Sequence, residues 1–174
     1  MRTIAVQNMR RIKKAVPEIE DKVKVKIGFG RGKVSIRGGG LDEYIVEQII
    51  RAVDFGFHIG DALLLIRKDF VLESIDIKSH TPRKNLRDVR ARLIGRKGKA
   101  KKTIENLTGS VIVIQNNKVG IIVDSEHLET VVQGIELLIQ GAKHGNVFAY
   151  IEKQNVSRRG FWRKGLGLRI KGKS

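Results

Sequence analysis

The sequence has no cysteine, which excludes disulfides and thiolate-held zinc and is compatible with a reducing compartment. Proline is nearly absent, with only two residues, and hydrophobic residues make up 41% against 30% charged ones, the balance of a folded chain rather than a disordered tail. No apolar run reaches the ~20 residues that a membrane-spanning helix needs, and no signal-like N-terminus is present, so a cytoplasmic protein is expected. Acids are scarce. Eighteen Asp and Glu stand against 35 Lys and Arg, a formal net charge of +17 over 174 residues. An enzyme acting on neutral metabolites has no use for such an excess, whereas nucleic acid supplies a direct reason for it. A solubilising surface and an anionic membrane are the competing readings.

Apolar periodicity organises the chain. Thr3–Val6 is a strand candidate, and Met9, Ile12 and Val16 then fall on one helical face that Pro17 is expected to end. Lys22–Ile27 alternates strictly, with Val23, Val25 and Ile27 on one side and three lysines on the other. That lysine row reads either as a solvated strand face or as a second RNA contact. After a turn at GFGRG, Lys33–Arg37 alternates again, and a helix from Leu41 to Val53 ends at Gly56. A short helix with Asp61 in its first turn follows. Phe70–Ile77 suits a strand by its β-branched content. Asn85 is placed to cap a helix, with Asp88 three residues on as in a capping box. A second helix turns Ala100, Ile104 and Leu107 inward and closes at Gly109. A hairpin spans Asn116–Asn117, and Asp124 or Ser125 is expected to cap the last long helix, which carries Leu128, Val131, Val132, Ile135, Leu138 and Ala142.

The halves match in register. Lys33-Val34 and Ile36 correspond to Lys118-Val119 and Ile121, and Gly56 corresponds to Gly141, all at one separation. An internal duplication of a helix–strand–strand–helix unit follows. From Glu152 onward the period fades: eight cations and no further acid after Glu152 mark a basic tail. Within it Phe161 and Trp162 are placed either to stack bases or to dock on the protein's own core.

The stretch LIGRKGKAKKTIENLTG, Leu93–Gly109, carries the chemistry. Gly95 and Gly98 bracket Arg96 and Lys97 between two helical patterns. Side-chain-free positions let a backbone as bulky as a sugar-phosphate approach. The following helix N-terminus offers unpaired N–H groups and a positive dipole end. Lys99, Lys101 and Lys102 extend the positive field, and Ile94 is placed to underlie a base. A four-residue G-x-x-G is common by itself. Here it lies between two helices, after a strand and before a hairpin and a third helix, and that order points to RNA.

With this motif the sequence resembles a KH domain, its GXXG loop at Gly95-Arg96-Lys97-Gly98. The blocks GFHIGDALLLIRKDFVLESIDI, RARLIGRKGKAKKTIENLTG and GAKHGNVFAYIE occur in order. They are similar to the two-KH proteins of small-subunit ribosome maturation, the archaeal and eukaryotic partner-of-Nob family. The resemblance implies single-stranded rRNA near the 3′ end of the small-subunit RNA as ligand. It also implies a Nob-type endonuclease, rRNA dimethylases and, for archaeal members, the alpha subunit of initiation factor two as partners, and no cofactor. The expected RNA-binding set is Arg92, Ile94, Gly95, Arg96, Lys97, Gly98, Lys99, Lys101 and Lys102. The first copy lacks a GXXG: AVQNMRRIKK runs from strand to helix directly.

Other candidates are weaker. GFGRGK resembles a phosphate-binding glycine loop only superficially, because a strand follows it. His58, His80, His127 and His144 share no metal-ligand spacing, and no nucleophile–base set or carboxylate pair converges. The expected fold is α+β. Two tandem KH-like modules are expected, each a three-stranded antiparallel sheet with helices on one face. A degenerate module spans residues 1–68, a complete type I KH domain 69–151, and a basic tail 152–174. The function expected is that of a non-catalytic RNA-binding factor. An RNA-processing enzyme that uses KH as a docking part, and a KH adaptor in translation or RNA decay, are the rivals.

Overall fold

The computed structural model describes the backbone of residues 1–165 and the side chains of residues 1–155. Phe161 and Trp162 lie outside the described side chains. The element order is β1 (Arg2–Ala5), α1 (Met9–Lys22), β2 (Val25–Gly30), β3 (Lys33–Gly38), α2 (Gly40–Phe55) and α3 (Ile59–Ala62), the last continued by a 3-10 turn over Leu63–Ile66. Then come β4 (Phe70–Asp76), α4 (Leu86–Ile94), α5 (Lys99–Thr108), β5 (Val111–Gln115), β6 (Lys118–Asp124), α6 (Leu128–Gln140) and α7 (His144–Gly165). Two compact units result: Met1–Asp76 with Val111–Glu126, and Ile77–Ser110 with the chain from His127 onward. The first holds both sheets and the second holds α4 to α7.

The duplication is visible in the topology. Each sheet is antiparallel and three-stranded, ordered β1-β3-β2 and β4-β6-β5. The central strands β3 and β6 are the segments whose sequences match. The helices that follow them, α2 and α6, end at Gly56 (φ +136°) and Gly141 (φ +107°). What differs is α4, present only between β4 and α5.

In the first unit α1 buries Ile12, Ala15, Val16 and Ile19, and α2 buries Val46, Ile49, Ile50 and Val53. Both belong to the same core as Val25, Val34 and Ile36 of the sheet. Phe57 is fully buried, and its ring, with that of Phe55, lies against β6 at Gly120, where a Cβ would come within 2.8 Å or less of both rings. Ile122 belongs to this core, with Val111, Val113, Phe70 and Leu72 packed on it. Apolar surface of the first copy is thus covered by the second sheet. Truncating Phe57 to Ala would cost about 3–5 kcal/mol.

Several boundaries differ from expectation. Pro17 does not stop α1; it lies inside the helix. Its ring faces solvent, so the carbonyl it leaves unpaired can be hydrated, while the buried face continues to Ile19. Val23 is the C-cap of α1, and the ladder of β2 starts at Val25, although burial does alternate from Val23 onward. The turn after β2 is only Arg31–Gly32, flanked by the Gly30–Lys33 pair, because Gly32 takes φ +67° and permits a two-residue hairpin. Asn85 makes no cap bond to the α4 backbone; its amide donates instead to the Asp88 carboxylate at 2.8 Å. Neither Asp124 nor Ser125 caps α6, which begins after His127; Asp124 accepts from the Glu126 N–H.

The second unit is helical. α5 buries Ala100, Ile104 and Thr108 and closes at Gly109 (φ +67°), with Leu107 only half-buried. α6 buries Val131, Ile135, Leu138 and Ile139, and packs on α7 where Gly134 faces Val147 and Ile151. The last long helix is therefore α7, not α6. Residues 152–165, expected as part of a tail, continue α7 as helix, because elongating a helix already docked through Val147 and Ile151 avoids the cost of nucleation.

Candidate nucleic-acid interface

The corner between α4 and α5 is built by backbone conformation. Gly95 ends α4 with φ +76° and ψ 175°, a region essentially restricted to glycine. Its neighbour is equally restrictive: a Cβ on Gly95 would stand 2.6 Å from the Ala100 Cβ and 2.7 Å from its backbone N. Lys97 is forced to φ 52°. Gly98 takes φ +75° and caps α5, and a Cβ there would meet nothing within 4 Å. The two glycines therefore have different jobs. Gly95 lets the chain fold onto Ala100, and Gly98 keeps a bare backbone turned to open space.

No side chain caps the N-terminus of α5, and its first turn holds no acid. Its orphan N–H groups and dipole are left to attract an anion. Arg96, Lys97, Lys99 and Lys102 are exposed around it, and no acid occurs from Val89 through Ile104. Ile94 adds an exposed apolar surface, 39% accessible, at the same corner. Lys101 is half-buried and pairs with Glu105 at 3.4 Å, which offsets part of its charge.

Arg92 is placed differently from expectation. Its guanidinium Nε donates to the Leu138 carbonyl at 3.2 Å, and Nη2 donates to the Ala142 carbonyl. A cation at the C-terminal end of α6 complements the helix dipole and adds to the bond that the Leu138 carbonyl already accepts from the Gly141 N–H. His144 holds the same spot through the Arg92 carbonyl, 2.9 Å from its Nε2. Arg92 thus ties α4 to the end of α6.

The equivalent corner of the first copy is occupied from within. Between β1 and α1 the Asp54 carboxylate accepts from the Gln7 N–H at 3.0 Å and from the Asn8 N–H at 2.7 Å. Asn8 caps α1 by accepting from the Arg11 N–H at 3.2 Å. Arg11 in turn donates to the carbonyls of Gly56 at 2.6 Å and Phe57 at 3.1 Å, the end of α2, as Arg92 does for α6. Sequence reading missed Asp54. Its only signal is an acid in the last turn of a helix, where the dipole disfavours it unless donors come from elsewhere.

The histidines have ordinary roles: His58 Nδ1 caps α3 by accepting from the Gly60 N–H, and His80 faces Glu136. Among the described residues no group of His, Asp and Glu is arranged to hold a metal ion, and no helix is long and apolar enough to cross a membrane.

A strand, two helices joined by a glycine-bracketed cationic turn, a hairpin and a further helix define a type I KH module preceded by a shortened copy of itself. The comparisons agree. A family model described as eukaryotic type KH-domain (KH-domain type I) matches residues 71–156. A KH domain-containing protein of Methanocaldococcus jannaschii is 32% identical over 157 residues, covering 84% of this chain and 69% of that protein. RNA-binding protein PNO1 of Oryzias latipes is 36% identical over 107 residues, which is 60% of this chain and 44% of that protein; this chain spans less than half of the fish protein's length. Dim2p from Pyrococcus horikoshii matches with a TM-score of 0.79 at 28% identity, covering 87% of this chain and 98% of that one. A chain in a complex of a/eIF2alpha, aDim2p and rRNA from the same organism matches with a TM-score of 0.80 at 27% identity, covering 90% and 94%. The chain belongs to the PNO1-type family of KH-domain proteins.

Proposed function

We propose that this protein is a non-catalytic, cytoplasmic RNA-binding factor that holds single-stranded small-subunit rRNA, near its 3′ end, during ribosome maturation. The observation that carries this is the open corner at Gly95–Gly98: an uncapped helix N-terminus, a bare glycine and exposed cations with no acid among them. A phosphate sits against the α5 N–H groups, Arg96, Lys97, Lys99 and Lys102 neutralise it and its neighbours, and Ile94 underlies a base. Lys101 acts more weakly because Glu105 shares it, and Arg92 positions the corner from behind. We assign reading to residues 69–151, a packing and docking role to the degenerate module 1–68, and non-specific support to the basic stretch 152–174. The relatives named for RNA binding and the neighbour solved with rRNA and a/eIF2alpha support the ligand class. The alpha subunit of initiation factor two, a Nob-type endonuclease and an rRNA dimethylase are the partners this reading implies.

Crosslinking the protein to total cellular RNA, then sequencing the attached RNA and mapping the attached residues, tests the reading. Small-subunit rRNA near its 3′ end should dominate, with bases attached at Ile94–Lys102. A spread over messenger RNA would favour an adaptor. Bases attached equally well at Gln7–Lys14 would make the first module a reader. Cleavage of the bound rRNA by pure protein with Mg²⁺ would make it an enzyme.

A further inference from the structure

Although the first copy's helix corner is closed by Asp54, its sheet presents a second surface. The register places three rows on the side of β1–β3–β2 away from α1 and α2. These are Gly30–Lys33–Ala5, Gly28–Ser35–Thr3, and Lys26 beside Arg37. Lys24 continues the alternation below Lys26. The middle row is flat because Gly28 has no side chain; a Cβ there would lie 2.6 Å from the Ser35 Oγ. Lys24, Lys26, Lys33 and Arg37 are all exposed. Among the described residues none of the four pairs with a carboxylate, and the three rows contain no acid.

We propose that this outer sheet face is a second RNA-binding surface, one that grips the sugar-phosphate backbone without reading sequence. Charge complementarity selects the occupant: cations without carboxylate partners at both ends of a flat floor, Arg37 donating to the Met1 Sδ at 3.3 Å, suit phosphates spaced along a strand. A protein partner is less well matched, because binding energy between proteins concentrates on buried aromatic and apolar anchors, and here they amount to Ala5 and the exposed Met1 at the edge beside Arg37. The same lack of aromatics removes the stacking platform through which sheets of other folds read bases, so the grip is sequence-independent. This inference rests on the protein being an RNA-binding factor, and it adds a site that the GXXG corner does not explain.

The test uses the full chain and a long mixed-sequence single-stranded RNA. A variant with Lys24→Gln, Lys26→Gln, Lys33→Gln and Arg37→Gln should bind more weakly. The slope of log affinity against log salt should become shallower by about 0.7 for each phosphate that the variant no longer neutralises. Its preference among base sequences should stay that of the parent. In parallel, Arg96→Asp with Lys97→Asp should abolish base preference, so failure of the GXXG reading and failure of the sheet proposal are separable. On the unaltered protein, lysine acetylation read by mass spectrometry should show Lys24, Lys26 and Lys33 protected by RNA, an independent result should the variant fold poorly. An unchanged salt slope in a folded variant, or lysines equally acetylated with and without RNA, overturns the proposal. Protection by an acidic protein with none by RNA overturns it too.

Discussion

The two glycines of the corner should fail in different ways when each is replaced by alanine. For Gly95→Ala the backbone stands at φ +76° and ψ 175°, a conformation costing a non-glycine residue about 1–3 kcal/mol. The new Cβ also overlaps Ala100 at 2.6 Å, with backbone N at 2.7 Å, and neither atom is the far end of a flexible chain. Forcing such an insertion adds about 1–3 kcal/mol. For Gly98→Ala the left-handed conformation costs about 1–2 kcal/mol, and no neighbour objects. A chain of this size loses about 2–4 °C of Tm per kcal/mol. Gly95→Ala should therefore melt well below Gly98→Ala, by several degrees. RNA binding should separate them the other way. The added methyl projects into the open space that the proposed reading gives to the sugar-phosphate, and a loss of about tenfold, or ~1.4 kcal/mol, is expected in a protein that remains folded. Thermal melts and gel shifts on the same preparations check both halves. If Gly98→Ala binds RNA like the parent, or if the two variants melt together, the division of labour between the glycines is wrong.

Replacing Arg96 and Lys97 together by Asp should abolish sequence-specific RNA binding, read in a gel shift against non-specific competitor RNA, while shifting stability by under about 0.5 kcal/mol per site, the usual effect of surface changes. Asp54→Ala should cost about 0.5–2 kcal/mol, as the loss of a helix cap does, read as a lower Tm. Acid should expose the role of Glu47, whose carboxyl is held below the usual carboxylate range first by the Arg51 guanidinium and then by Arg2. A pKa depressed by folding stabilises the protein above the ordinary carboxylate range, and that contribution is lost as pH falls through the folded-state value. The Tm gap between the parent and Glu47→Gln should therefore close on acidification, and a gap that stays constant would refute this role.

Most of the architecture was legible because apolar periods of 2 and 3.6 coincide with burial. The alternation from Val23 to Ile36 and the glycines at Gly56, Gly109 and Gly141 stand where the pattern put them; in the helix after β3 the pattern of Leu41, Tyr44, Ile45, Gln48, Ile49, Ala52 and Val53 holds only in its second half, because Leu41 and Tyr44 are exposed while Val46 and Ile50 are buried. The GXXG corner was legible as well, since its geometry is local and its residues adjacent. What escaped depended on distant chain or on solvent. Pro17 reads as a helix stop unless its ring is known to face water. Arg92 reads as an RNA contact unless the end of α6 is known to lie beside it. α7 is docked chiefly through Val147 and Ile151, too few apolar residues to set a period past Glu152. Asp54 is 47 residues from Gln7, and nothing local marks an acid as the partner of remote N–H groups.

That Asp54 contact has a consequence for how RNA is registered on the protein. A carboxylate tethered to its own helix is present at an effective concentration that for short flexible linkers is already on the order of millimolar, and a folded scaffold holds it in place more firmly still. An incoming phosphate must displace it, and in doing so would strand an acid beside the phosphate. The first corner behaves as though always liganded, whatever the RNA concentration. Duplicating a binding unit would otherwise offer an RNA chain two equivalent seats and so two alternative alignments. With one seat filled from within, a single alignment remains, so on the proposed reading the position of the RNA would follow from one acidic side chain in the first copy.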